Sequence, residues 1–162
     1  MTETLTKTPT PTGFPPSTLN RVLDEGYGPG AWYGADLRTA TDGLTAALAF
    51  ARPAPSRHNV AEIALHHAYW ATQLAAKLTG KAPSKFPLDG EDWFELNDES
   101  RLSWNAVRAT LDTAQAQLSK AVQSPSSPLS EAERFDIAIG ITGHAAYHAG
   151  QIQLVKVLVS GQ

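Results

Sequence analysis

The stretch GHAAYHAGQIQLVK, residues 143–156, has the pattern of a helix with two histidines in its apolar stripe. Apolar residues recur there every three or four positions, which is the spacing of one helix face. With a rotation of about 100° per residue, His144 and His148 lie about 40° apart around the helix axis, on adjacent turns. The full stripe consists of Ile137, Ile141, His144, His148, Ile152, Val155 and Val159.

Two imidazoles in neighbouring core positions are costly to bury, because each ring carries polar nitrogens that need partners. A metal ion removes this cost, since neutral imidazole is a ligand for zinc, nickel, iron and copper. A lone buried histidine is more often a hydrogen-bonded structural residue. The pair by itself leaves both interpretations open.

The same apolar spacing occurs at four places in the chain and predicts four helices. The last of them opens with Ser130 and Glu133, a capping box that satisfies two backbone N–H groups. The sequence has no strand-like alternation and no internal repeat, so it predicts an all-α fold, a four-helix bundle. The predicted helices cover residues 31–51, 59–79, 101–122 and 130–159.

The segments outside these helices define the domain organisation. Residues 80–100 form a long connection that we expect to cross the bundle, held by Phe86, Trp93 and Phe94. Its length indicates that the second and third helices run parallel, because an antiparallel pair needs only a short loop. Residues 1–18 are rich in Thr and Pro and predict a flexible arm, followed by a single domain over 19–162.

Composition excludes several classes of function. The net charge of −3 and the absence of Lys/Arg runs argue against nucleic acid as a partner. The chain has no cysteine, so any metal site must use His, Asp or Glu. It has no signal-like segment and no apolar run near the length of a membrane span, so we expect a cytoplasmic protein that does not bind membranes.

A third histidine strengthens the case for a metal. The second predicted helix carries His66 and His67 side by side. One of them facing the pair would complete a three-histidine site with positions left for water or substrate, as in catalytic zinc sites. His67 lies near the middle of that helix's apolar stripe and His66 on its edge, so periodicity slightly favours His67 without deciding.

With these features the chain resembles the DinB/YfiT-like superfamily of metalloenzymes. The stretches HNVAEIALHHAYW (58–70) and GHAAYHAGQI (143–152) carry the resemblance, which extends from about residue 19 to 159. It implies a four-helix bundle in up-down-down-up order. The family's ligand on the second helix follows an acidic residue by four positions, which here gives His66, with His67 as the alternative. The resemblance thus implies one divalent transition metal, zinc, nickel or iron, bound by His66, His144 and His148.

The resemblance also implies an activity on a small-molecule substrate. Family members with assigned chemistry include metal-dependent hydrolases and thiol transferases, such as those that use mycothiol or bacillithiol. In these enzymes a metal lowers the pKa of a bound water or thiol. The alternative is a non-catalytic metal- or ligand-binding bundle of the stress response. A homodimer is expected from the resemblance and from Gly140, Gly143 and Gly150, which indicate close helix approach within the bundle or across a dimer.

Further candidate residues surround the three histidines. Glu62 lies one turn before His66 and is either a general base or ligand-orienting group, or a first-turn acid that stabilises the helix. His58 precedes the helix, where a role in helix entry is favoured over metal binding. The candidates for the substrate pocket, or for support of the metal ligands, are Gln151, Tyr147, His67 and Tyr33.

Overall fold

The structure, a computed structural model, describes residues 15–28 and 30–161. These residues form helices and no strand, so the predicted all-α fold is confirmed. None of the described helices is long and apolar enough to cross a membrane. In chain order the helices are α1 (Pro16–Tyr27), α2 (Leu37–Thr41), α3 (Ala46–Phe50), α4 (Val60–Thr79), α5 (Trp104–Val122) and α6 (Glu131–Ser160).

The first long helix, α1, begins within the predicted arm. Residues 1–14 of that arm lie outside the described residues, but 16–18 belong to the first turn of α1. Proline is tolerated at this position because the first N–H groups of a helix have no partner within it. Leu19, Leu23 and Tyr27 follow at helical spacing and are buried. The prolines and threonines before them masked this periodicity in the sequence.

The predicted helix over 31–51 is wrong. Two short helices, α2 and α3, occupy this region. Asp36 and Thr45 each cap a helix start, with side chains that accept hydrogen bonds from Thr39 N and Leu48 N. Between them Gly43 has a φ of 71°, a left-handed conformation that interrupts a helix. The apolar spacing is helical on both sides of this break, which is why the sequence suggested one continuous helix.

The other three predicted helices are confirmed as α4, α5 and α6, with ends shifted by at most three residues. The capping box of Ser130 and Glu133 is formed at the start of α6. Asn59 caps α4 by accepting from Glu62 N, and its amide donates to Phe50 O and Leu96 O. This buried side chain therefore joins the end of α3, the long connection and the start of α4.

Contacts between the ends of the helices indicate which helices run parallel and which run antiparallel. The C-terminal halves of α4 and α5 share a groove lined by Thr79 and Lys120, among others. Asn20 bonds to Ser119 and Tyr27 to Asp112, so α1 and α5 pair in opposite directions. These contacts favour the up-down-down-up order, which stays a prediction from the sequence.

The long connection between α4 and α5 contains neither helix nor strand. Phe94 is buried and Phe86 partly buried, with ring centroids 5.1 Å apart, whereas Trp93 remains 36% exposed. The first two side chains hold the connection against the bundle, as expected. Trp93 has a different environment, which belongs to the site described below.

The glycines of α6 do not mediate close packing within the bundle. A Cβ placed on Gly140, Gly143 or Gly150 would meet no described atom within 4 Å, so that part of the sequence interpretation is wrong. The close approach occurs instead at Gly26 of α1, where a Cβ would lie 2.9 Å from Ala145 Cβ in α6. The missing side chain at Gly26 allows α1 to pack directly against α6.

Candidate metal centre

Three histidines from α4 and α6 converge on one point. His144 Nε2 lies 3.0 Å from His66 Nε2 and 3.0 Å from His148 Nε2. One ring nitrogen from each of the three lies within 4.8 Å of the other two. His66 and His148 are buried and His144 is partly buried. The structure thus brings together the three residues that the family resemblance indicates.

The opposite nitrogen of each ring has its own partner. His66 Nδ1 lies 3.0 Å from the Asp92 carbonyl oxygen, and His148 Nδ1 lies 2.6 Å from Gln151 Oε1. Both partners are acceptors, so each of these Nδ1 atoms carries the proton and each Nε2 keeps a lone pair. The Nδ1 of His144 lies 3.0 Å from His67 Nδ1. For His66 and His148 this is the arrangement in which an acceptor behind the ligand fixes the direction of the metal-binding nitrogen.

The donor set fits a divalent transition metal. His66 Nε2 and His148 Nε2 each direct a lone pair toward His144 Nε2. A single proton on His144 Nε2 can form a hydrogen bond with only one of these two lone pairs. A cation can accept all three lone pairs at once, and zinc, nickel and iron favour imidazole nitrogen. His66, His144 and His148 would therefore hold such an ion.

Burial keeps these rings in the neutral form that binds metals. Loss of solvent, together with neighbouring histidines, lowers the pKa of His144 and of His148 to about 4. Burial also lowers the pKa of His66, although the carbonyl and carboxylate of Asp92 oppose the shift. At neutral pH no proton has to leave these rings before an ion binds.

The connection between α4 and α5 shapes the other side of the site. Asp92 has a φ of 63°, the one left-handed non-glycine conformation among the described residues, and aspartate tolerates it better than most residues. Its backbone thereby points a carbonyl at His66, while its carboxylate accepts from Trp70 Nε1 at 2.6 Å. Asp92 was not predictable from the sequence, because a backbone acceptor in a loop leaves no pattern.

Trp93 is stacked between two histidines. Its ring centroid lies 3.8 Å from that of His58 and 3.9 Å from that of His66, with interplanar angles of 10° and 6°. The indole therefore covers one face of a candidate ligand, His66, and links it to His58. The sequence indicated only that Trp93 holds the loop in place.

Glu62 belongs to a separate buried cluster. Its carboxylate accepts from the Arg52 guanidinium, from the Leu96 N–H at 2.9 Å and from His58 Nδ1 at 2.8 Å. Burial opposes its ionisation, but the hydrogen bonds from Arg52, Leu96 and His58 outweigh this and lower the pKa of Glu62. A carboxylate so fully engaged is poorly suited to act as a free general base. Arg52 was missed, although a buried glutamate on a helix face requires a cation nearby.

A pocket of about 530 Å³ opens beside His148. Tyr147 and Gln151 line it, and Gln151 Nε2 donates to the Tyr147 hydroxyl at 3.0 Å. Tyr33 is not part of the lining, and its hydroxyl instead donates to the Glu25 carbonyl oxygen. The remaining lining residues are Pro53, Ala54, Ser56, Arg57, His58, Ile63, Trp93, Leu154, Val155 and Leu158.

Comparison with known proteins agrees with this geometry at the level of the family. Neither the curated proteins nor the solved structures compared with the chain include a match to it. A family model of the DinB superfamily matches residues 31–152, which span the whole of α4 and all three converging histidines. The chain therefore belongs to the DinB superfamily.

Proposed function

We propose that this protein is a metal-dependent enzyme that acts on a small molecule, as a hydrolase or as a thiol S-transferase. His66, His144 and His148 hold one divalent transition metal, zinc, nickel or iron, through their Nε2 atoms. The observation that carries the proposal is the convergence of three Nε2 atoms, with His144 Nε2 at 3.0 Å from each of the other two, and with proton acceptors behind two of the rings.

An open site is what distinguishes catalysis from structural metal binding. The group of side chains able to bind an ion has three members among the described residues, one fewer than a closed tetrahedral site uses. His148 borders the pocket, so a small molecule can reach the centre from that side. When bound, a divalent ion supplies Lewis acidity that lowers the pKa of a water molecule or thiol.

We propose that His58, rather than Glu62, is the general base that exchanges a proton with the substrate. The buried Glu62 carboxylate holds His58 Nδ1 at 2.8 Å, which leaves Nε2 as the nitrogen free to exchange a proton. The His58 side chain is 49% exposed and lines the same pocket as His148. Trp93 fixes its plane by stacking. A carboxylate-oriented imidazole beside the substrate is a common form of general base.

The pocket lining supports a substrate with an apolar part and a negative charge. Leu154, Val155 and Leu158 line one side, and neither Asp nor Glu contributes to the lining. Arg57 supplies a cation, and its guanidinium has no hydrogen-bond or ion-pair partner in the described part of the chain. A low-molecular-weight thiol with acidic groups fits this description.

The proposal can be tested on protein purified without a histidine tag, which avoids nickel taken up from the affinity column. We expect zinc-, nickel- or iron-loaded protein to accelerate thiol transfer from bacillithiol or mycothiol to monobromobimane, or hydrolysis of p-nitrophenyl esters. Metal-free protein and the His148→Ala variant should not do so. A loaded wild-type protein inactive in both assays would favour the non-catalytic alternative over the enzyme.

A homodimer and a cytoplasmic location also stay proposals. The exposed side of α6 outside the pocket carries Ile139 and Val157, each more than half exposed, next to the small residues Gly143 and Gly150. Such an apolar strip suits contact with a second copy. Sedimentation velocity at micromolar concentration should give a dimer, and a monomer would count against this proposal.

A further inference from the structure

His67 is the buried histidine that has no role in the proposed function. It is 1% exposed and does not line the pocket beside His148. Its Nδ1 lies 3.0 Å from His144 Nδ1. Its Nε2 is buried and has no hydrogen-bond partner among the described residues.

A single proton can lie between the two Nδ1 atoms, and the ring that carries it determines whether His144 can bind a metal through Nε2. If His67 carries the proton, His144 accepts it, and the proton of the neutral His144 ring sits on Nε2, where it blocks the lone pair. If His144 carries the proton, its Nε2 lone pair is free, and His67 accepts through Nδ1 with its own proton on Nε2. Only the second arrangement leaves His144 able to bind a metal through Nε2.

We propose that His67 is a positioning residue that accepts the Nδ1–H of His144 and so directs the Nε2 lone pair of His144 into the metal centre. The inference rests on the proposed function. The same task is performed for His66 by the Asp92 carbonyl and for His148 by Gln151 Oε1. His67 completes the set, so that each of the three rings has an acceptor behind it.

The acceptor behind His144 differs from the other two in a way that affects affinity. A carbonyl oxygen only accepts, whereas a neutral imidazole nitrogen is a donor or an acceptor according to its tautomer. In the metal-binding arrangement His67 also buries an N–H at Nε2 with no partner among the described residues, which is unfavourable. His144 is therefore the ligand whose orientation can be improved by substitution.

Two substitutions at residue 67 separate the acceptor from the rest of the side chain. His67→Leu fills the space without an acceptor and should weaken zinc binding roughly ten- to a hundred-fold, the usual effect of removing such a partner. His67→Asn places an amide oxygen near the position of Nδ1, and should bind zinc as tightly as the wild type or more tightly. Thr72→Val is the matched control, because Thr72 is a buried polar residue of α4 whose hydroxyl donates to Ala68 O.

The experiment is a zinc titration of each metal-free variant against a chromophoric chelator, together with ¹⁵N NMR of the histidine rings in the zinc-loaded wild type. We expect a loss in His67→Leu, none in His67→Asn or Thr72→Val, a proton on Nδ1 of His144 and a proton on Nε2 of His67. Wild-type affinity in a folded His67→Leu, or a proton on Nδ1 of His67 in the loaded wild type, would overturn the inference. The NMR result tests the inference even if the His67→Leu variant does not fold. A wild-type protein that binds no zinc, nickel or iron would overturn the proposed metal centre and this inference with it.

Discussion

Two buried polar clusters lie one turn apart on α4, and they differ in whether they are complete. Around Glu62, the carboxylate is paired with Arg52 and accepts from His58 and Leu96 N, so its charge and its lone pairs have partners. Around His66, three neutral rings turn their Nε2 atoms toward one another. The carboxylate of the first cluster is satisfied by neighbouring residues, whereas the second directs ring nitrogens from three histidines to one point, where a cation would satisfy their lone pairs.

This difference separates a structural role from a binding role. Buried polar groups in proteins are nearly always satisfied, and an exception requires an explanation. The Glu62 cluster joins Arg52, His58 and the long connection, and it thereby holds the scaffold on which His58 is positioned. The histidine cluster joins α4 to α6 but leaves lone pairs unsatisfied at the place where they meet. Burial on the same helix thus serves stability in one turn and ligand binding in the next.

The largest expected effect is the loss of metal from the histidine cluster. His148→Ala should abolish stoichiometric metal binding while the helices persist, because Ile152 and Val155 beyond it remain buried. Elemental analysis of the tag-free variant and far-UV circular dichroism measure the two properties. A variant with helices intact and one ion per chain would show that the cluster is not the binding site.

The second expected effect is a loss of stability from the Glu62 cluster. Glu62→Gln should lower the free energy of unfolding by about 3 kcal/mol, because it leaves the partly buried Arg52 without its counter-charge. Urea unfolding of the metal-free protein measures this change, and metal stoichiometry should remain at the wild-type value.

Arg21→Gln provides the control for this comparison, since Arg21 pairs with Glu25 on the surface and its side chain is 76% exposed. Its effect should stay within about 0.5 kcal/mol. Equal stability of Glu62→Gln and the wild type would remove the contrast between the two clusters.

The smallest expected effect is a difference between the pH ranges in which the two clusters lose their contributions to stability. In the metal-free protein the histidine cluster should lose stability as the pH falls from about 6.5 toward 4, because the folded pKa of His144 and His148 is lowered to about 4 and the unfolded chain binds protons first. The lowered pKa of Glu62 places the loss of its contribution at a more acidic pH, below its ordinary pKa of 4.5. Unfolding free energies measured between pH 7 and pH 3 should therefore fall in two stages. A constant stability between pH 7 and pH 5 would contradict the first stage.

The sequence predicted the three longest helices well and the shorter ones poorly. α4, α5 and α6 each repeat their apolar spacing over many turns, so one ambiguous residue does not change the interpretation. The region of α2 and α3 contains five-residue helices, for which periodicity carries little information, and its caps and Gly43 outweigh the apolar spacing. α1 was missed because the preceding prolines suggested an irregular arm.

The candidate site was predictable where side chains on long helices form it. Periodicity placed His67 at the centre of the stripe, and His67 is the more buried of the adjacent pair. The family resemblance selected His66, whose Nε2 the structure brings to His144 and His148. Asp92 acts on His66 through its backbone carbonyl, and Arg52 reaches Glu62 from beyond α3. Such contacts depend on the path of loops, which spacing along a helix does not reveal.

The central claim is that three imidazoles bind one metal ion, and zinc K-edge X-ray absorption of the tag-free, zinc-loaded wild type tests it most directly. Paired with native mass spectrometry, it reports both the number of ions per chain and the number of imidazole ligands on each. We expect one ion per chain with about three imidazole nitrogens, the remaining ligands being oxygen. A chain that binds no ion, or an ion whose spectrum lacks imidazole scattering, would contradict the account.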